Sequence, residues 1–202
     1  MRSGRGLKML EGGVALLAIA CGYGCLGLSF LIGFEILARK LANYSLQGVD
    51  ELGGYVLAVT AAIGFAYALL HRVHTRIDLG ITALRPPGRA ILNAFAAVLL
   101  AGYTCFMAFR AWGALAESLE FGSRASTPLQ TPLWIPQSLW LLGIATFAVV
   151  SVAMAFDALL LLWRDRDTLN SRYGPPSLDE EIEASMNEAE RHAGSTPARV
   201  LQ

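Results

Sequence analysis

Four long apolar runs, separated by short polar stretches, organise the chain. They predict membrane-spanning helices over about 13–34, 52–71, 90–111 and 137–163. Each is long enough to cross the ~30 Å hydrocarbon core of a bilayer as a helix. The first follows Arg2, Arg5 and Lys8 and contains Ala18-Ile19-Ala20-Cys21, which resembles a cleavage box. The apolar run continues well past that point and exceeds a signal-peptide core, so it is read as a retained span. Trp140 and Trp163 lie ~35 Å apart on an ideal helix, a separation that suits aromatic belts at opposite membrane faces.

Between the spans the pattern changes. Phe34, Leu37, Leu41 and Tyr44 recur at helical spacing while Arg39, Lys40, Asn43 and Gln47 take other faces, which predicts a short amphipathic helix on the membrane surface. Pro86-Pro87-Gly88 ends any helix that continues from the second span. Beyond the third span AWGALAESLEF stays helix-compatible, and two successive tetrapeptides, Thr127-Pro128-Leu129-Gln130 and Thr131-Pro132-Leu133-Trp134, then predict an extended segment. Pro136 stands early in the fourth helix, where its missing N–H costs nothing. The polar stretch 164–202 is expected to be a flexible tail, with Ser177 to Glu180 shaped as a capping box. The expected organisation is a terminus over 1–11, a membrane domain over 12–163 and that tail.

The second span is the most patterned. Gly54, Ala58, Ala62 and Ala66 fall at i, i+4 steps on one stripe, a small-residue ridge of the kind by which helices pack closely in lipid. Asp50 and Glu51 open this helix and His71, Arg72, His74 and Arg76 close it, so each end complements the helix dipole. The acids are expected either to serve that dipole alone or to pair with Arg39 or a partner subunit.

Composition agrees with a membrane protein: 54% of residues are hydrophobic, 16% are charged, and the formal net charge is zero. That balance leaves no basic footprint for nucleic acid. Lys and Arg flank the spans unevenly: ten on the side of both termini, against only Arg39, Lys40, Arg110 and Arg124 on the other. The asymmetry predicts cytoplasmic termini.

Candidate chemistry is sparse. Cys21, Cys25 and Cys105 are an odd number inside apolar segments, which makes no disulfide framework. Cys21 and Cys25, one turn apart, are read as packing residues, with a redox role as the alternative. His71 and His74 could share a helix face but lack further ligands for a metal, so an interfacial structural role is expected. Asp157 is the one acid well inside a predicted span, read as a salt bridge to Arg72, Arg76 or a tail arginine, with a functional acid as the alternative. No nucleophile motif, glycine-rich phosphate loop or paired catalytic carboxylates occur, so neither an enzyme nor a cofactor is expected.

Phe34-Glu35-Ile36-Leu37-Ala38-Arg39, then Asp50-Glu51-Leu52, Gly64 and His74-Thr75-Arg76-Ile77-Asp78 resemble the small permease subunit of tripartite ATP-independent periplasmic (TRAP) transporters, the DctQ family. The resemblance covers roughly Gly13 to Trp163; Asp50 stands where many members carry glutamate. It marks Arg39, Asp50, Glu51, His74 and Asp78 as family-motif positions. It implies an all-α protein of the bacterial inner membrane that partners a large DctM-type permease, which carries the substrate and sodium sites. A soluble DctP-type periplasmic protein would deliver the solute, a carboxylate or sulfonate. The small subunit would then brace the static scaffold of the large one, without binding substrate itself. An anchor subunit of a redox complex, resting on the cysteines and the histidine pair, is the alternative.

Overall fold

A computed structural model describes residues 5–71, 86–173 and 186. The His74 and Asp78 motif, Arg72, Arg76 and the expected capping box at Ser177 lie outside the described residues. All regular structure among them is helical: α1 (Arg5–Ala42), α2 (Val49–Leu70), α3 (Pro86–Glu120), α4 (Trp134–Arg164) and α5 (Arg166–Tyr173). Four of these, α1 to α4, are long and apolar enough to cross a membrane, and the protein is a multi-pass membrane protein.

The expected surface helix between the first two spans is not a separate element. α1 runs unbroken for 38 residues, ~57 Å at helical rise, and takes in Phe34, Leu37 and Leu41. The reason is local: from Phe34 to Ala42 there is no Gly or Pro, and Leu, Ala, Arg and Lys are all good helix formers. The break comes at Asn43, which adopts a left-handed φ of 52°, a conformation asparagine tolerates better than most residues. Tyr44 N–H then closes the helix end on the Ala38 carbonyl at 3.3 Å. α3 is similarly long, 35 residues, and continues from Arg110 through AWGALAESLE.

Two compact units divide the chain. The first contains α1, α2, α3 from Phe95 onward and α4 as far as Asp157. Here α1 and α2 run antiparallel, with Leu28 against Gly53, Gly24 against Val56 and Cys25 Sγ 3.6 Å from Thr60 Oγ1. Val14 of α1, Ala66 and Leu69 of α2, and Phe147 and Val150 of α4 form its apolar core, flanked by Leu100 of α3 and Met154. α2 and α4 approach closely at Ala62 and Gly143: a methyl group on Gly143 would stand 2.7 Å from the Ala62 Cβ. Glycine there lets two backbones meet, which in lipid is a main source of helix–helix attraction.

Thr104 and Ser151 share a buried hydrogen bond of 2.6 Å between α3 and α4. Each hydroxyl also lies within hydrogen-bonding distance of a carbonyl of its own helix, at Ala101 and Ala148, so one hydroxyl donates across the helices while the other donates to its carbonyl. The second unit joins residues 86–94 to 158–173. Ala90, Ala94, Ala158, Leu169 and Tyr173 are buried in it, and Asn93 Nδ2 donates to Asn170 Oδ1 at 3.3 Å. Asp165 caps α5, accepting from Thr168 N–H at 3.1 Å and from the Thr168 hydroxyl. These bonds hold its carboxyl below the ordinary carboxylate pKa.

Candidate functional site

Of the alternatives for the acids that open α2, a pair with Arg39 is not formed. Arg39 instead bonds Glu35 one turn back on α1, with Nε 2.9 Å from Oε1 and Nη2 in a second contact to the same oxygen. Glu35 is 5% exposed, whereas the Arg39 side chain is 64% exposed. Ser45 Oγ donates to the same carboxylate oxygen at 3.3 Å across the break that follows α1. A buried carboxylate needs a cation and further donors, and Arg39 is the cation that α1 itself places one turn away. The i, i+4 spacing of Glu35 and Arg39 is the signal that could have found this pair.

Glu51 serves another purpose. Its carboxylate accepts from Tyr55 OH at 2.6 Å and from the Thr127 hydroxyl. Thr127 belongs to the proline-rich connection, which folds as a tight turn. Gln130 N–H donates to the Thr127 carbonyl at 3.0 Å, Gln130 takes φ of 48°, and Ala125 N–H donates to the Thr131 carbonyl at 2.9 Å. Glu51 thus fastens the start of α2 to a connection 76 residues away in sequence. Next to it, Leu129 packs on Gly48, the residue before α2. Asp50, by contrast, is exposed and has the role of an acid in the first helical turn.

The small-residue ridge of α2 divides. Ala62 and Ala66 are 1% and 0% exposed and pack inside the chain. Gly54 and Ala58, at the end near Glu51, are exposed, in company with Leu57. Within the ridge, the half near Glu51 is therefore the exposed one.

At the far end of α2, His71 stacks on the Tyr67 ring with centroids 4.0 Å apart. Its Nδ1 donates to the Tyr67 carbonyl at 3.0 Å. Asp157 lies half-buried on α4 and has an interaction partner. Cys21, Cys25 and Cys105 are free thiols. Among the described residues, no cluster of three or more His, Cys, Asp or Glu has metal-binding geometry. Gln137 Oε1, in the first turn of α4, is buried without a hydrogen-bond partner among the described residues.

Between α1, α2 and the start of α4 lies an open apolar groove of about 440 Å³. It runs along α2 from Leu52 to Ile63, with Leu17 and Cys21 on one wall and Ile135 and Leu139 on the other. Tyr55 and Thr131 place polar groups near one end.

What this geometry offers is packing surfaces and anchored helix ends, with polar side chains tied largely to one another. No curated protein is a significant match to the chain. A family model does match, that of the DctQ component of tripartite ATP-independent periplasmic transporters, over residues 28–161. The matched segment runs from the middle of α1 to the end of α4 and takes in Glu35, Arg39, Asp50, Glu51 and the Thr127 turn. With that match over most of its length, the chain belongs to the DctQ family, the small membrane component of TRAP transporters.

Proposed function

We propose that this chain is the non-catalytic brace of a TRAP transporter, holding a large DctM-type permease while that partner moves solute. The uptake would be sodium-coupled, fed by a DctP-type periplasmic binding protein, and directed at an organic carboxylate or sulfonate. The observation that carries the reading is how the polar side chains of the membrane helices are used. Thr104 bonds Ser151, Cys25 lies against Thr60, and the Thr146 hydroxyl donates to the Leu142 carbonyl of its own helix. α1, α2 and α4 are continuous through their apolar lengths, whereas solute and ion sites in secondary transporters are built from interrupted helices.

Docking is assigned to the exposed outer half of the α2 ridge, Gly54 and Ala58, together with the long exposed face of α1. The brace sits in the bacterial inner membrane with both termini in the cytoplasm, which places the Glu51–Thr127 clamp on the periplasmic side. The positive-inside asymmetry of Lys and Arg supports that orientation.

Co-expression with the large permease tests the proposal. The two chains should co-purify, Ala58→Trp should lower recovery of the complex while leaving this subunit folded, and uptake should need both chains and the binding protein. Ala62→Trp is not a clean probe, because Ala62 packs against Gly143 within the subunit. Solute uptake by this chain alone in liposomes, or full uptake by the large permease without it, would overturn the assignment.

A further inference from the structure

We infer that the groove between α1, α2 and α4 is a binding site for one acyl chain of a membrane phospholipid, from the leaflet on the Glu51 side. Four observations carry this. The groove extends along α2 from Leu52 to Ile63, ~16 Å at helical rise, which matches one leaflet of a ~30 Å hydrocarbon core. Its volume of about 440 Å³ would hold roughly fifteen groups the size of a water, and a methylene group is of similar size. An apolar wall gives water no hydrogen bonds, so the space is unsuited to solvent. A whole helix does not fit inside it: a cylinder ~10 Å across and as long as the groove needs about three times that volume, so a helix would lie across the opening without filling it.

An extended hydrocarbon chain fits all of these limits. The opening is flanked by Leu52, Leu139 and Leu142, each about half-exposed, so a lipid can enter sideways from the bilayer. Close packing is where membrane helices gain their attraction, and a vacant groove would deprive its walls of contacts. The lipid therefore acts as part of the wedge between α1 and α4. Its polar end lies beside Tyr55 and Thr131, at the level of the Glu51–Thr127 clamp. This inference rests on the chain's membrane character and not on its role beside the permease.

The full-length chain is purified in mild detergent, washed to remove loosely held lipid, and examined by native mass spectrometry after exposure to palmitoyl-oleoyl phosphatidylethanolamine. One retained phospholipid per chain is expected. Ala20→Phe and Val56→Phe, which fill the groove, should lose that adduct, whereas Ile19→Phe on the outward face of α1 should keep it. Helical content by circular dichroism identifies variants that fold, and only those are compared.

A second measurement uses the unaltered protein. Cys21 lies on the groove wall, so a maleimide should label it slowly when lipid is retained, faster after delipidation, and slowly again when the lipid is returned. Peptide mapping separates Cys21 from Cys25 and Cys105. Absence of a retained phospholipid, equal retention in folded groove-filled variants, or a Cys21 rate indifferent to lipid would each overturn the inference. So would displacement of the lipid by the large permease with Cys21 still protected, because the groove would then be a subunit socket.

Discussion

Replacing Gly143 with alanine is the sharpest test of how the membrane helices are held together. The added methyl would stand 2.7 Å from Ala62 Cβ and 3.3 Å from both the Ala62 carbonyl carbon and Ile63 Cγ1. Carbon–carbon contacts are comfortable at about 3.5–4.0 Å, so α2 and α4 must separate by about 1 Å. One of the crowded atoms is backbone, so no rotamer change relieves the clash and the whole helix must shift. Overpacking of this sort costs about 1–3 kcal/mol, against which alanine returns ~1 kcal/mol of helix propensity relative to glycine. A net destabilisation of up to about 2 kcal/mol is expected.

Gly64, which has open space where its methyl would go, provides the matched control: Gly64→Ala should be neutral or slightly stabilising. The reciprocal exchange, Ala62→Gly with Gly143→Ala, moves the methyl from one helix to the other and should return stability close to that of the parent. SDS-titrated unfolding of the purified subunit in mixed micelles measures the parent, these variants and the single Ala62→Gly, and the double-mutant cycle isolates the contact. If Gly143→Ala behaves like Gly64→Ala, or if Ala62→Gly adds its own loss instead of cancelling the clash, the close α2–α4 approach is wrong.

Three further outcomes follow from the polar contacts. Arg39→Ala strands the buried Glu35 carboxylate with only Ser45 beside it, so it should cost ~1–3 kcal/mol in the same unfolding assay, discounted from a fully buried pair because the guanidinium is well exposed; adding Glu35→Gln should recover part of that loss. Ser151→Ala should cost only ~0.6 kcal/mol, since Thr104 keeps its bond to the Ala101 carbonyl and such interhelical bonds average little in membranes. The α5 cap should be pH-dependent in a definite sense. Asp165 has a lowered folded pKa, so its stabilisation is present above the unfolded carboxylate pKa and is lost as pH falls through the folded value. Amide protection across α5, taken relative to the intrinsic exchange rate at each pH, should fall on acidification in the parent and be low at all pH values in Asp165→Ala.

Much of the architecture could be read from hydropathy alone, because a membrane span is a run of some twenty apolar residues and four such runs stand out plainly. The site was less legible, for specific reasons. A small-residue ridge has the same pattern whether the helix it meets is in the same chain or another, so Ala62 and Ala66 could not be told from Gly54 and Ala58. The amphipathic spacing of Phe34, Leu37 and Leu41 is likewise shared by a separate surface helix and by the overhanging end of a long one; only the left-handed turn at Asn43 decides between them. The partner of Glu51 was out of reach. Its hydrogen bond to Thr127 depends on how the proline-rich turn folds back, and no local spacing encodes a contact across 76 residues. Glu35 is the opposite case, since its pairing with Arg39 is a one-turn relation that spacing rules describe.

Gly48 shows how tightly the clamped end of the molecule constrains its own variation. Its φ of 90° lies in the left-handed region, and any side chain there would also overlap the Leu129 Cδ1 and Cγ atoms. The two restrictions are separable. Trimming Leu129 to alanine would clear the space yet leave the backbone angle, which L-residues other than glycine adopt only at a cost. Among related sequences that keep this turn, position 129 is therefore free to drift in size while position 48 is not, and a change at the glycine has no compensating partner across the contact.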